Sequence, residues 1–79
     1  MPNVIMYTTP TCGYCKLAKE FFKEHNVEVT EKDVTVDLEA REYMIQKSGQ
    51  LGVPVIEVGD TMVLGFDKNK LSQLLNIQS

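Results

Sequence analysis

The sequence predicts a small α/β domain: a strand–helix–strand unit, then a second helix, a β-hairpin and a last helix. Three observations carry this. A continuous apolar run, Val4-Ile5-Met6-Tyr7, lies between Pro2-Asn3 and Thr8-Thr9-Pro10 and reads as a buried strand. From Cys15 the apolar period turns helical, through Ala18, Phe21, Phe22 and His25, with Leu17 beside them. Further on, two β-rich runs, Val55 to Val58 and Thr61 to Leu64, are separated only by Gly59-Asp60. Glycine at the first turn position is the signature of a type II′ hairpin.

The remaining elements follow from their punctuation. The first helix is expected from about residue 11 to about residue 24, with Thr11 at the N-cap and Asn26 ending it. Lys16, Lys19, Glu20, Lys23 and Glu24 form its solvated face. Valines alternate with polar residues from Val27 to Val34, which reads as the second strand. Asp37 is a good N-cap for a helix from Leu38 to Lys47, with Ala40, Tyr43, Met44 and the stem of Lys47 facing inward and Ser48-Gly49 stopping it. Asp67 can cap a last helix whose apolar positions are Leu71, Leu74, Leu75 and Ile77. The order is β-α-β-α-β-β-α. The opening strand–helix–strand implies a parallel pair with a right-handed crossover.

Length and charge narrow the function. Seventy-nine residues make one domain, 1–79, with a modest core. The net charge of −3 and the interleaved lysines and acids give no basic stripe for nucleic acid. The start of the chain has no basic n-region and too short an apolar run for a signal peptide or a membrane span. The expected location is the cytoplasm, where purely structural disulfides are rare.

Both cysteines lie in "TTPTCGYCK", as Cys12 and Cys15. A structural zinc site wants four protein ligands and a catalytic one three. The only histidine, His25, would lie roughly 15 Å along the helix from Cys15, so no metal site is expected within one chain. An iron–sulfur cluster shared between two chains stays open. A structural bridge across so short a loop would contribute only about 2 kcal/mol. The redox reading has a mechanism. At the start of a helix, the backbone N–H groups of Tyr14 and Cys15 point toward the Cys12 sulfur and, with the helix dipole, favour its thiolate. Cys15 lies one turn deeper. Cys12 would attack a target disulfide, and Cys15 would then attack Cys12 and release the reduced target. Gly13 lets a substrate backbone come close. CxxC beside a β-α-β pattern is a strong redox signal. Tyr7, Tyr43 and the methionines read as packing rather than chemistry. Lys16, Lys68 and Lys70 read as solvated, with Lys16 a candidate to help hold a thiolate.

On "TPTCGYC" after an apolar strand, "GVPVIEV" after the second helix and "VLGF" before the last, the chain resembles the glutaredoxins of the thioredoxin-fold superfamily over nearly its whole length. The resemblance implies a four-stranded sheet in the order 2-1-3-4 with helices on both faces. It implies that Cys12 is the exposed nucleophile and Cys15 the resolving thiol. Tyr14 would border a glutathione groove. Val53 would pair its backbone with glutathione, like an added strand, and Pro54 would follow a cis bond. Three positions depart from the common pattern. Thr9 stands where many members have lysine, Gly52 where many have threonine, and Gly65-Phe66-Asp67-Lys68 where many have Gly-Gly and acids. The Gly-Phe pair resembles the NrdH-type redoxins, which take electrons from thioredoxin reductase and pass them to ribonucleotide reductase. Phe66 would then partly fill the γ-glutamyl side of the groove.

The expectation is a monomeric thiol–disulfide oxidoreductase with no bound organic cofactor. Its reductant would be glutathione or thioredoxin reductase. Its targets would be disulfide-containing proteins, with ribonucleotide reductase or a peroxidase as examples. The expected site is Cys12 and Cys15, with Thr11, Gly13, Tyr14, Val53, Pro54, Gly65, Phe66 and Asp67 around them. The alternative from another class is a non-enzymatic iron–sulfur carrier, a dimer in which Cys12 and external glutathione hold the cluster.

Overall fold

The computed structural model describes residues 3–49, 52 and 54–77. Its elements run β1 (Val4–Thr8), α1 (Gly13–Glu24), β2 (Thr30–Asp33), α2 (Leu38–Ser48), β3 (Val55–Val58), β4 (Thr61–Leu64) and α3 (Lys68–Leu75). The four strands form one sheet in the order β2-β1-β3-β4. β1 pairs parallel with β2 and antiparallel with β3, and β3 pairs antiparallel with β4. This is the element order read from the residues and the strand order implied by the resemblance.

The alternation along the strands divides the core in two. Val4, Met6, Ile56, Val58 and Val63 face α1 and α3, where they meet Ala18, Phe21, Phe22, Leu71 and Leu75. Tyr7 and Val55 face α2 and meet Ala40 and Met44. α2 turns a different face inward from the one expected. Ala40 and Met44 are buried and Ile45 joins them, whereas Tyr43 and Lys47 are exposed. The Lys47 ammonium lies 5.9 Å from the centre of the Tyr43 ring, so its stem covers Tyr43 instead of the sheet.

Capping explains where the helices stop and why β2 is short. α1 ends in a Schellman turn: Asn26 takes φ +56°, its N–H donates to the Lys23 carbonyl, and the Val27 N–H donates to the Phe22 carbonyl. Val27 thereby spends its amide on the helix. Its side chain enters the core, but its backbone does not open a strand, so β2 begins at Thr30 rather than Val27. The other end of the expected strand, Val34, donates its N–H to the Thr8 carbonyl just past the ladder. Asp37 and Asp67 cap α2 and α3 as expected, accepting from the amides of Ala40 and Lys70. Gly49, at φ +75°, closes α2. Gly59, at φ +59°, makes the hairpin turn, and Asp60 is not among the positive-φ residues, as a type II′ turn requires. No described helix is long and apolar enough to cross a membrane.

Tyr7 gives the fold an alkaline limit. Its side chain is 2% exposed. Burial first, and the negative charge of Glu57 second, push its phenol up to about 12 from an ordinary value of 10.0. Unfolded, the phenol ionises near its ordinary value; folded, it stays neutral until about 12. The stability tied to this group is therefore intact below the unfolded value and is lost as pH rises toward the folded one. The loss is expected to reach about 2 kcal/mol. Urea titrations between neutral pH and pH ~11.5 should show Tyr7→Phe losing less stability than the parent chain by about that amount.

Candidate functional site

The topology gathers the predicted residues at one edge of the sheet. β1 ends there, β3 begins there and β4 ends there. The connections at that edge carry Thr11, Cys12, Pro54, Gly65, Phe66 and Asp67, and the first turn of α1 carries Gly13, Tyr14 and Cys15. Gly65 takes φ +76°, and its N–H donates to the Pro54 carbonyl at 2.9 Å. The Gly65-Phe66-Asp67 turn is thus tied to the start of β3. Pro54 is buried. Val53, with its bond to Pro54, lies outside the described residues.

The cysteine loop is built by a tight turn. The Cys12 N–H donates to the Thr9 carbonyl at 3.3 Å, with Pro10 at the second turn position, where its fixed φ fits. Thr11 falls in the third position and is exposed. It is therefore not the N-cap. Cys12 takes that place, with φ −86° and ψ 112°, and α1 starts at Gly13. The correction sharpens the chemistry: an N-cap side chain accepts from the second or third helical amide. Here the Cys12 sulfur accepts from the Cys15 N–H at 3.1 Å. The sulfur thus holds a fixed amide donor at the N-terminal end of α1.

The two thiols differ in surroundings. Cys12 is partly exposed and Cys15 is buried, at 2% exposure. Both are free thiols. Burial pushes the Cys15 thiol up, and its hydrogen bond to the Cys12 side chain adds to this. Hydrogen bonds from the Thr8 side chain and the Thr9 backbone pull the other way. A low-lying partner for the exposed sulfur thus sits one turn away, neutral until its proton is drawn off.

A groove of about 530 Å³ opens beside the pair. Its walls include Thr11, Gly13 and both cysteines from the motif, and Lys16, Lys19, Glu31 and Asp33 from α1 and β2. Lys19 and Glu31 are joined by a 2.8 Å ion pair. Being half exposed, that pair is worth at most about 1 kcal/mol, so it shapes the wall more than it stabilises the fold. A methyl group on Gly13 would meet nothing within 4 Å, so the space above it is open for an incoming chain. Tyr14 is 66% exposed beside it.

Phe66 does not stand free in solvent. It is half-buried, with its ring 5.8 Å from Phe21 in an edge-on contact, and Lys68 reaches over the Phe21 ring at 6.0 Å. His25 packs on Phe21 at 4.7 Å, almost three turns below Cys15, which gives it a packing partner and no part in the thiol site. Among the described residues no three His, Cys, Asp or Glu side chains gather as a metal set. Sequence reasoning missed Thr8, the Thr9 amide and the β2 wall. Thr8 stood in plain view before the motif. What placed it under Cys15 was the extension of β1 by one residue, which the apolar run did not signal.

Comparison with known proteins agrees with this architecture. The sequence profile of the glutaredoxin family matches residues 4–63. A glutaredoxin-like 8.6 kDa protein of the rubredoxin operon of Clostridium pasteurianum is 39% identical over 70 residues, 89% of this chain and 93% of that one. A glutaredoxin of Neisseria meningitidis is 43% identical over 75 residues, 92% of this chain and 88% of that one. Among solved structures, the T8A mutant of the thioredoxin-like protein BC3987 superposes with a TM-score of 0.91 at 36% identity, covering 99% of this chain and 100% of that one. The fold is the thioredoxin fold, and a family profile spanning most of the chain together with relatives of this identity and coverage leaves one assignment: the chain belongs to the glutaredoxin family.

Proposed function

We propose that this protein is a thiol–disulfide oxidoreductase that reduces protein or mixed disulfides by dithiol exchange, with Cys12 as nucleophile and Cys15 as resolving thiol. One observation carries the reading: the partly exposed Cys12 sulfur caps α1 and accepts the Cys15 amide at 3.1 Å, while the Cys15 thiol lies buried beside it. Cys12, as thiolate, attacks one sulfur of the target disulfide. A bond forms between Cys12 and that sulfur, and the other target sulfur leaves with the electron pair. Cys15 loses its proton and attacks Cys12, and the second target sulfur leaves as a thiolate. The target is reduced by two electrons and this chain is left with a Cys12–Cys15 disulfide. Gly13 and Tyr14 would flank the entering chain. No bound organic cofactor takes part.

The oxidised chain needs a reductant, and two readings differ here. Reduction by glutathione would use the edge formed by Tyr14, Val53, Pro54, Gly65 and Asp67. The second reading is favoured by Phe66. Its half-buried ring adds bulk beside α1 at a turn position where many glutathione-using members have glycine. In that reading a thioredoxin reductase supplies the electrons, and ribonucleotide reductase or a peroxidase is a target. The oxidised protein should be offered two NADPH-coupled systems separately: glutathione with its reductase, and thioredoxin reductase. NADPH consumption in either one, matched to protein thiols formed, is the expected result; the system that works names the reductant. Failure in both would overturn the oxidoreductase reading.

A further inference from the structure

We propose that the turn between β2 and α2 is an arm that selects the target: Val36 and Leu38 receive an aliphatic side chain, flanked by a basic residue, from the polypeptide that carries the disulfide. This rests on the dithiol reading above and narrows its substrate to protein disulfides. The starting point is where the exposed apolar side chains lie. Among the described residues the large ones are Tyr14, Leu17, Val36, Leu38, Tyr43 and Leu64. Such residues scattered singly over a surface are ordinary. Here they are gathered. β2 runs parallel to β1, and so does β4, two antiparallel steps away, so these strands all end at the cysteine edge. Tyr14 and Leu17 lie in the first turns of α1, Val36 in the turn after β2, Leu38 at the start of α2 and Leu64 at the end of β4. Only Tyr43, in the middle of α2, lies away from that edge. An apolar rim around a reactive sulfur marks a surface that closes on a macromolecule.

Val36 and Leu38 are the most exposed of the six, at 78% and 67%. The fold does not ask for an apolar residue at Val36. It directly precedes the Asp37 N-cap, where an apolar residue often packs on the fourth residue of the helix, but that residue is Arg41. The turn is nevertheless held tightly. The Asp33 carboxylate accepts from the Thr35 amide at 2.9 Å and from the Thr35 hydroxyl. The Asp33 carbonyl accepts the amides of Val36 at 3.2 Å and Asp37 at 2.9 Å, and the Asp37 carboxylate then caps α2 through the Ala40 amide at 3.0 Å. Asp33 also lines the groove beside Cys12 and pairs with Thr8 in the β1–β2 ladder. The arm therefore starts in the groove wall itself and presents two aliphatic side chains from a fixed backbone.

Charge sets the rest of the occupant's chemistry. Between residues 32 and 42 the acids are Asp33, Asp37, Glu39 and Glu42, and the cations are Lys32 and Arg41. Glu42 stands one helical turn from Leu38, and Glu39 directly follows it. Two aliphatic side chains thus sit in a surface of net negative charge. A segment that fits it offers an aliphatic residue with Lys or Arg beside it. Glutathione offers neither, since it carries two carboxylates and no aliphatic side chain. The covalent steps are those already given: Cys12 attacks the disulfide and Cys15 resolves it. The arm adds no group to that chemistry and acts by holding the target while Cys12 attacks.

A set of disulfide-linked peptides tests this, with a Leu-Lys pair placed two, three or four residues to either side of the cysteine and a Ser-Asp pair in matching controls. The small probe is 2-hydroxyethyl disulfide. Reduced protein is mixed with each in single turnover, and peptide thiol is followed by chromatography after an acid quench. The best Leu-Lys peptide should react roughly tenfold faster than its Ser-Asp match. The double change Val36→Ser with Leu38→Ser, at two exposed positions, should abolish that preference by raising the concentration at half-saturation, with the limiting rate kept. The rate with 2-hydroxyethyl disulfide should stay at the parental value, and Val36→Ile with Leu38→Met should retain the preference. A preference that survives the serine changes would overturn the proposal. So would equal slowing with 2-hydroxyethyl disulfide, which points to altered cysteine chemistry, or a parental chain that reduces every peptide at one rate. A parental chain that reduces none of these disulfides would defeat the dithiol reading itself.

Discussion

Cys12→Ser is expected to bring disulfide exchange down to the uncatalysed background, a loss of roughly a thousandfold or more on the scale of nucleophile knock-outs. The reason is local. The sulfur at the α1 N-cap receives the Cys15 amide at 3.1 Å and stands partly exposed over an open wall at Gly13. A serine oxygen can take the same amide and cap the helix equally well. The fold should therefore survive while the chemistry disappears, because a hydroxyl at neutral pH is neither ionised nor able to form a disulfide. Cys15→Ser should behave differently. Cys12 keeps its donor and its exposure, so the first step proceeds and the mixed disulfide persists. Turnover of a protein disulfide, followed spectrophotometrically with each variant, separates the two. Full turnover by Cys15→Ser would show that Cys15 is not the resolving thiol.

Phe22→Ala is expected to be the most damaging core change, at about 3–5 kcal/mol. Phe22 is 1% exposed, stacks edge-on against Phe21 at 5.7 Å, and its carbonyl receives the Val27 amide that closes α1. A chain of this length has a total stability of roughly 4–12 kcal/mol. Truncation at Phe22 thus removes a large share of it, and with it the packing that holds α1 and its N-terminal sulfur over the sheet. Phe22→Leu keeps most of the volume and should cost less than about 1.5 kcal/mol. Urea midpoints of the two variants test this directly: a fall for Phe22→Ala no larger than that for Phe22→Leu would contradict the packing account.

Much of this was legible from residue order. The apolar run at Val4, the switch to helical period after Cys15, the caps Asp37 and Asp67 and the Gly59-Asp60 turn each acted through local chemistry, and each is where it was expected. The misplacements arose where one group had two possible partners. Thr11 is a good capping residue, but Pro10 drew the Thr9–Cys12 turn around it and handed the cap to a sulfur. Val27 has strand character, yet its amide closes the helix. Tyr43 and Lys47 lie at helical spacing from Ala40 and Met44, but Ile45 competed for the sheet and won. Of the site, the cysteines, Thr11 and Gly13 could be read from the residues themselves, and Tyr14, Val53, Pro54, Gly65 and Phe66 only through resemblance. The donors beneath Cys15 and the β2 wall depend on tertiary pairing of β1 with β2, to which spacing along the chain is blind.

The central claim is the division of labour between Cys12 and Cys15. Its most direct measurement is peptide mapping by mass spectrometry after one equivalent of a disulfide-bonded peptide is added to the reduced protein and the reaction is quenched with acid. The parental chain should yield a Cys12–Cys15 disulfide and free reduced peptide, and Cys15→Ser should carry the peptide on Cys12. An adduct found on Cys15 of the parental chain, or no Cys12–Cys15 disulfide at all, would contradict the account.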